Sequence, residues 1–215
     1  MKKFLFSLAI LGSSFLLFNG FVAFQSSADR ILEESKTTLR SLNDFSADFT
    51  YELANPGMRN AVSKTGSLKY KQGKYVIKMD DQEIYCDLET LWIYLSEDNE
   101  VNIMDYDPEE GMDVESIFNL YETSSQARYQ GEKTVNGAAC HHIYLAIKDA
   151  DLEYNQAYLW INKQTKMLQK ISLVNRTQTT TTYEFRNMET NTGLTDAAFR
   201  FDVAAHSGVD VYDER

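Results

Sequence analysis

The residues best suited to metal binding or nucleophilic chemistry in this 215-residue chain are three histidines and two cysteines. His141 and His142 are adjacent inside an apolar-periodic run. Neighbouring side chains of an extended strand point to opposite faces, so this pair cannot chelate one ion. His206 stands far from both, and neither Cys86 nor Cys140 carries a second cysteine or histidine at zinc-ligand spacing. Neither the dinucleotide nor the P-loop glycine spacing occurs, and no serine sits in a nucleophile elbow. Asp80-Asp81 and Glu109-Glu110 are paired acids, but both fall at turns, where carboxylates are solvated. These residues supply no catalytic constellation, no cofactor site and no metal site. The expectation is a binding protein and not an enzyme.

The surrounding elements explain what the chemistry-bearing residues are for. Residues 26–42 read as a helix: Ser26 and Asp29 have capping-box spacing, and Ile31, Leu32, Ser35, Leu39 and Leu42 share a face. From Phe45 the period becomes two, with Phe45, Ala47, Phe49, Tyr51 and Leu53 alternating with polar residues. Short strands then follow over 63–71, 75–80, 83–88, 91–95 and 100–105. Pro108 and Gly111 interrupt them, and Asp113 to Tyr121 reads as a helix whose stripe is Val114, Ile117, Phe118 and Tyr121. Strands resume over 127–135 and 139–148, joined by Asn136-Gly137, a strong hairpin signal. Residues 156–161 and 167–174 form a further hairpin, and the polar run 179–185 is expected near a sheet edge. In the tail Phe199, Phe201 and Val203 alternate, followed by Val209 and Val211.

The N-terminus has the layout of a secretory signal, with Lys2 and Lys3 before an apolar run from Phe4 to Phe18 that Asn19-Gly20 breaks. Residues 1–24 are expected to be a cleaved signal and 25–215 one mature domain; an uncleaved anchor is the alternative, since the stretch to Phe24 is about 20 residues long. A lipid-attachment signal would need a cysteine just after that run, and the first is Cys86. Export would let Cys86 and Cys140 pair, but both lie in strand patterns, and two buried thiols are expected. The net charge is −11, and loss of Lys2 and Lys3 makes it more negative by two. Such a field repels phosphate backbones and excludes nucleic acid as a partner. The 13 tyrosines, 12 phenylalanines and only two prolines favour β-structure.

The order of elements, together with Leu42-Asn43-Asp44-Phe45-Ser46-Ala47-Asp48-Phe49-Thr50, Gly66-Ser67-Leu68-Lys69-Tyr70-Lys71, Leu91-Trp92-Ile93-Tyr94 and the tail Leu194-Thr195-Asp196-Ala197-Ala198-Phe199-Arg200-Phe201 with Gly208-Val209-Asp210-Val211, resembles the LolA family of outer-membrane lipoprotein carriers. The resemblance covers nearly the whole mature chain. It implies a mainly β (α+β) fold, a single curved antiparallel sheet forming an incomplete barrel with lid helices over its mouth. It also implies a monomeric periplasmic carrier that takes acylated lipoproteins from an inner-membrane transporter to an outer-membrane acceptor.

Acyl chains are costly in water, at about 0.8 kcal/mol per methylene, so such a carrier needs a large apolar cavity that also releases. The candidate lining is Leu68, Tyr70, Tyr75 and Ile77, then Trp92 and Tyr94, with Ile143, Leu145, Leu159 and Ile161 from the later strands. Ile117, Phe118 and Tyr121 form the candidate lid face. The alternative is an ordinary filled core with no ligand. The resemblance also implies a latch arginine near the turn Gln72-Gly73-Lys74; here the place holds Gln72, flanked by Lys71 and Lys74, which donate fewer bonds in a less rigid geometry. A second reading is an exported module of the same fold that carries or senses another lipid.

Overall fold

The computed structural model describes residues 27–108, 124–148 and 152–215. The expected signal segment and the expected helix Asp113–Tyr121, with Ile117, Phe118 and Tyr121, lie outside the described residues.

Helix α1 spans Ser27–Ser41 and buries Ala28, Ile31, Leu32, Ser35, Lys36 and Leu39, the one-face spacing of an amphipathic helix. Asp29 in its first turn and Arg40 in its last match the helix dipole. Eleven strands follow: β1 Phe45–Ala54, β2 Val62–Lys71, β3 Lys74–Met79, β4 Gln82–Cys86, β5 Thr90–Leu95, β6 Glu100–Asp105, β7 Ser124–Val135, β8 Ala138–Ile147, β9 Tyr154–Asn162, β10 Leu168–Asn175 and β11 Thr180–Thr190. A last short strand, β12, covers Asp210–Asp213.

All twelve form one sheet in the order β12-β6-β5-β4-β3-β2-β1-β11-β10-β9-β8-β7. Its two end strands do not pair with each other, so the sheet is open. Every pairing is antiparallel except that of β12 with β6. Bulges between Ser46 and Asp48, Tyr129 and Gly131, and Leu168 and Lys170 bend its strands. The hairpins at Gln72-Gly73 and Asn136-Gly137 have positive φ at both central residues (50° and 90°, 49° and 78°), the primed-turn geometry that matches strand twist.

The polar strand β11 lies in the middle of the sheet, between β1 and β10, and not near an edge as its composition suggests. Most of its polar residues occupy one face, where Ser172 and Thr182 share a hydrogen bond of 2.8 Å and Lys170 meets Glu184 at 3.2 Å. Thr181 and Phe185 are buried on the other face. A strand with one solvated face can be as polar as an edge strand and still be paired on both sides.

Two apolar clusters result. The larger lies on the inner face and joins α1 to β1–β4 and β8–β11. The smaller lies on the outer face of β3–β6, where the C-terminal segment packs Phe199 and Phe201 onto Val76, Tyr85, Val101 and Ile103. The tail is not the extended run its alternation suggests. Asp196–Phe199 and Val203–Ala205 are 3₁₀ turns, Phe199 and Phe201 are buried, and Val203 is exposed.

Asp44, between α1 and β1, ties this tail to the start of the sheet. Its carboxylate accepts hydrogen bonds from Thr192 N (2.7 Å), Thr192 Oγ1 (2.9 Å), Gly193 N (2.9 Å) and Leu194 N (3.1 Å). Burial works to raise its pKa, but these hydrogen bonds outweigh it and hold the carboxyl below its ordinary value.

Candidate functional site

The inner face is built by strand alternation. Leu68 and Tyr70 of β2 stand opposite Ile77 and Tyr75 of β3, and Tyr70 also lies beside Phe45 of β1 with ring centroids 5.2 Å apart. On the far half Ile143 pairs with Leu159, and His141 with Ile161. Eight of the ten candidate lining residues therefore join one cluster: Leu68, Tyr70, Tyr75, Ile77, Ile143, Leu145, Leu159 and Ile161.

Trp92 and Tyr94 do not join it. Tyr85 pairs with Trp92 and Tyr94 with Val101, so both project from the outer face and pack into the cluster of Phe199 and Phe201. The Tyr94 ring lies tilted against Phe201 with centroids 5.1 Å apart, and its hydroxyl donates to Asn99 Oδ1 at 3.1 Å. In β5 it is Leu91 and Ile93, the alternating neighbours, that share the inner face with Cys86 and Ile84.

Burial divides the inner face into two parts. Ile143, Leu145, Leu159 and Ile161 are at most 1% exposed, so they are packed core. Ile77, Ile84 and Ile93 instead stand side by side across β3, β4 and β5 and are each half-buried. Met79 and Leu91 extend this half-buried apolar surface, and Tyr51, Tyr154 and Tyr183 form another part of it. Sequence reasoning missed the contribution of β1 and β11. The signal was present in the alternation of Phe45, Ala47, Phe49 and Tyr51, which marks a strand with one apolar face without saying what that face lines.

Helix α1 covers part of this face, lying nearest to β7, and Glu34 meets Lys166 of the β9–β10 turn at 3.2 Å. At the Gln72-Gly73 turn both flanking lysines serve the tail: Lys71 Nζ reaches Asp196 Oδ1 at 2.8 Å and Leu194 O at 2.8 Å, and Lys74 Nζ reaches Asp196 Oδ2 at 3.0 Å. These bonds and charges hold the Asp196 carboxyl down at about 2. The basic groups at the expected latch position thus bind the C-terminal segment.

Cys86 and Cys140 are fully buried and not joined by a disulfide. His142 lies on the outer face, stacked on Trp160 at 4.6 Å, and burial followed by the Lys133 charge lowers its pKa. Among the described residues no three His, Cys, Asp or Glu side chains are placed to hold a metal ion, and no helix is long and apolar enough to cross a membrane. An open pocket of about 470 Å³ is lined by Asp48, Lys78, Asp80 and Arg186 together with Phe49 and Met79.

Residues 40–202 match the profile of the family described as outer membrane lipoprotein carrier protein LolA. The chain belongs to the LolA family. Other likenesses are more distant. An uncharacterised protein of Methanocaldococcus jannaschii is 24% identical over 190 residues, which cover 82% of this chain and 52% of that protein. The chain therefore spans about half the length of that curated relative. An uncharacterised conserved protein of Thermus thermophilus superposes with a TM-score of 0.59 at 12% identity, over 88% of this chain and all of that one. A LolA superfamily protein of Nitrosomonas europaea superposes with a TM-score of 0.43 at 12% identity, over 83% of this chain and 99% of that one. The Asp44 clasp, the Lys71–Asp196 contact and Phe199 all fall within the stretch that the LolA profile matches.

Proposed function

We propose that this chain is a periplasmic carrier that binds the acyl chains of lipoproteins on its inner face and moves them from the inner to the outer membrane. Residues 1–24 serve as its export signal. The observation that carries the reading is the half-buried row Ile77, Ile84 and Ile93 in a LolA-family fold. A filled core would bury such a row. Left open, it offers aliphatic surface at the roughly 4.8 Å strand spacing, along which a methylene chain can lie. Burying methylenes there gains about 0.8 kcal/mol each, and incomplete packing keeps release possible.

The test is to isolate the chain from a host with a bacterial envelope and combine native mass spectrometry with lipid extraction. Co-purified acylated species, lost in Ile84→Asp, support the carrier. Acylated peptides among them support lipoprotein cargo, whereas free lipids alone favour a module of the same fold that carries another lipid. A clean apo mass with no uptake of a hydrocarbon probe overturns the reading.

A further inference from the structure

Three phenol groups gather at one end of the inner face. Tyr51 of β1 pairs directly with Tyr183 of β11, with ring centroids 5.5 Å apart, and the Phe49 ring lies 6.2 Å from Tyr183. Tyr183 stands in register with Ile171, which is fully buried. Tyr154, at the start of β9, lies beside the Thr181 side chain. All three rings pack against the inner apolar cluster and remain partly exposed.

Among the described residues the hydroxyls of Tyr51 and Tyr183 have no hydrogen-bond partner, and neither oxygen is sealed from the open space of the face. A phenol set in apolar surroundings normally finds a partner for its O–H. The nearby charges are already engaged or of the wrong sign for an anion. Lys64, in register with Tyr51, is 2.6 Å from Asp81, Arg176 donates to Leu152 O, and the residue beside Tyr154 is Glu153. The cluster thus offers neutral donors.

We propose that Tyr51, Tyr154 and Tyr183 form a polar subsite that receives the neutral ester carbonyls at the head of an acyl ligand. This rests on the acyl-carrier reading above and adds to it an end-to-end polarity. The hydrocarbon lies along the aliphatic rows, and the ester oxygens accept from the phenols. Burial, followed by the neighbouring phenols Tyr154 and Tyr51, pushes Tyr183 up to about 12, so this group stays a donor throughout the physiological range.

The experiment measures displacement of diphenylhexatriene, a pure hydrocarbon probe, by dipalmitoylglycerol and by its dihexadecyl diether, which lacks the carbonyls. The native chain is expected to prefer the ester about tenfold, since one hydrogen bond gives roughly 2- to 13-fold. The triple substitution Tyr51→Phe, Tyr154→Phe and Tyr183→Phe keeps every ring. It should bring the preference within about twofold while diphenylhexatriene still binds, which also reports that the variant is folded. Tyr144→Phe on the outer face should change nothing. Uptake of the hydrocarbon without an ester preference, or a preference that survives the triple substitution, overturns the subsite and leaves the carrier reading intact. A native chain that takes up no diphenylhexatriene overturns both.

Discussion

The Asp44 carboxylate accepts four hydrogen bonds from the segment Thr192–Leu194, three of them from backbone N–H groups that would otherwise lack an acceptor. Asp44→Asn presents an amide NH₂ to those same donors, so its unfolding midpoint at neutral pH should fall. The native carboxyl is held below its ordinary value of 3.8, so its contribution is present above that pH and fades as pH drops further. The gap between the native chain and the Asp44→Asn variant should therefore narrow toward pH 3; thermal unfolding followed by circular dichroism would show it, and a gap independent of pH would count against the clasp. Ser35 presents the opposite case. It is 1% exposed on the core side of α1, and its Oγ has no partner among the described residues. Ser35→Ala removes an unsatisfied polar atom from an otherwise apolar face and should raise stability by about 1 kcal/mol, read from chemical denaturation.

At the scale of elements, the C-terminal segment is what makes the outer face of β3–β6 a core. Phe199 is fully buried there, and truncating a buried phenylalanine costs about 3–5 kcal/mol. Phe199→Ala should lower the urea midpoint accordingly, and a loss under 1 kcal/mol would mean that the segment rests on the sheet without supporting it. This segment also explains what the sequence concealed. The strands were legible because period two is a local signal: those expected between Phe45 and Phe185 are present, although β11 runs on to Thr190, whereas the alternation of Phe199, Phe201 and Val203 belongs to a segment of 3₁₀ turns. In Leu91-Trp92-Ile93-Tyr94-Leu95, however, both faces are apolar, so the pattern says that both are covered and not which covers what. Choosing the large aromatics as lining ignored their parity: Ile84 faces inward and pairs with Ile93, which sends Trp92 and Tyr94 outward. The partner they find lies about a hundred residues downstream, where 3₁₀ turns hide the strand-like alternation. Central placement of β11 was hidden for a related reason, since polarity reports a wet face and not an unpaired edge.

At the scale of the whole molecule, one sheet carries two apolar clusters on opposite faces, and titratable groups embedded beside both set the pH range in which it stands. His141 and His142 lie below their ordinary 6.5, chiefly through burial, so the unfolded chain takes up protons first as the solution becomes acidic. Asp44 and Asp87 follow: burial opposes their ionisation, but hydrogen bonds hold both below 3.8. Asp196 is held down at about 2 by Lys71 and Lys74. A depressed folded-state pKa contributes stability that is complete above the unfolded value and lost as pH falls toward the folded one. Losses from these groups should therefore begin below about pH 6.5 and steepen from about pH 4 downward. On the alkaline side the sign is reversed. Tyr183 is raised to about 12 from 10, so the unfolded chain ionises before the folded one, and stability declines above pH 10. The expected profile of the thermal midpoint is a plateau from about pH 6.5 to 9 with shoulders on both sides, since burial also holds the Cys140 thiol above its ordinary 9.0. Tyr183→Phe should soften the alkaline shoulder without altering the acidic one, and replacing both His141 and His142 by Asn should do the reverse. A midpoint that stays level between pH 6.5 and 3 would refute the assignment of the acidic shoulder, because His141, His142, Asp44, Asp87 and Asp196 would then titrate alike in the folded and unfolded chains.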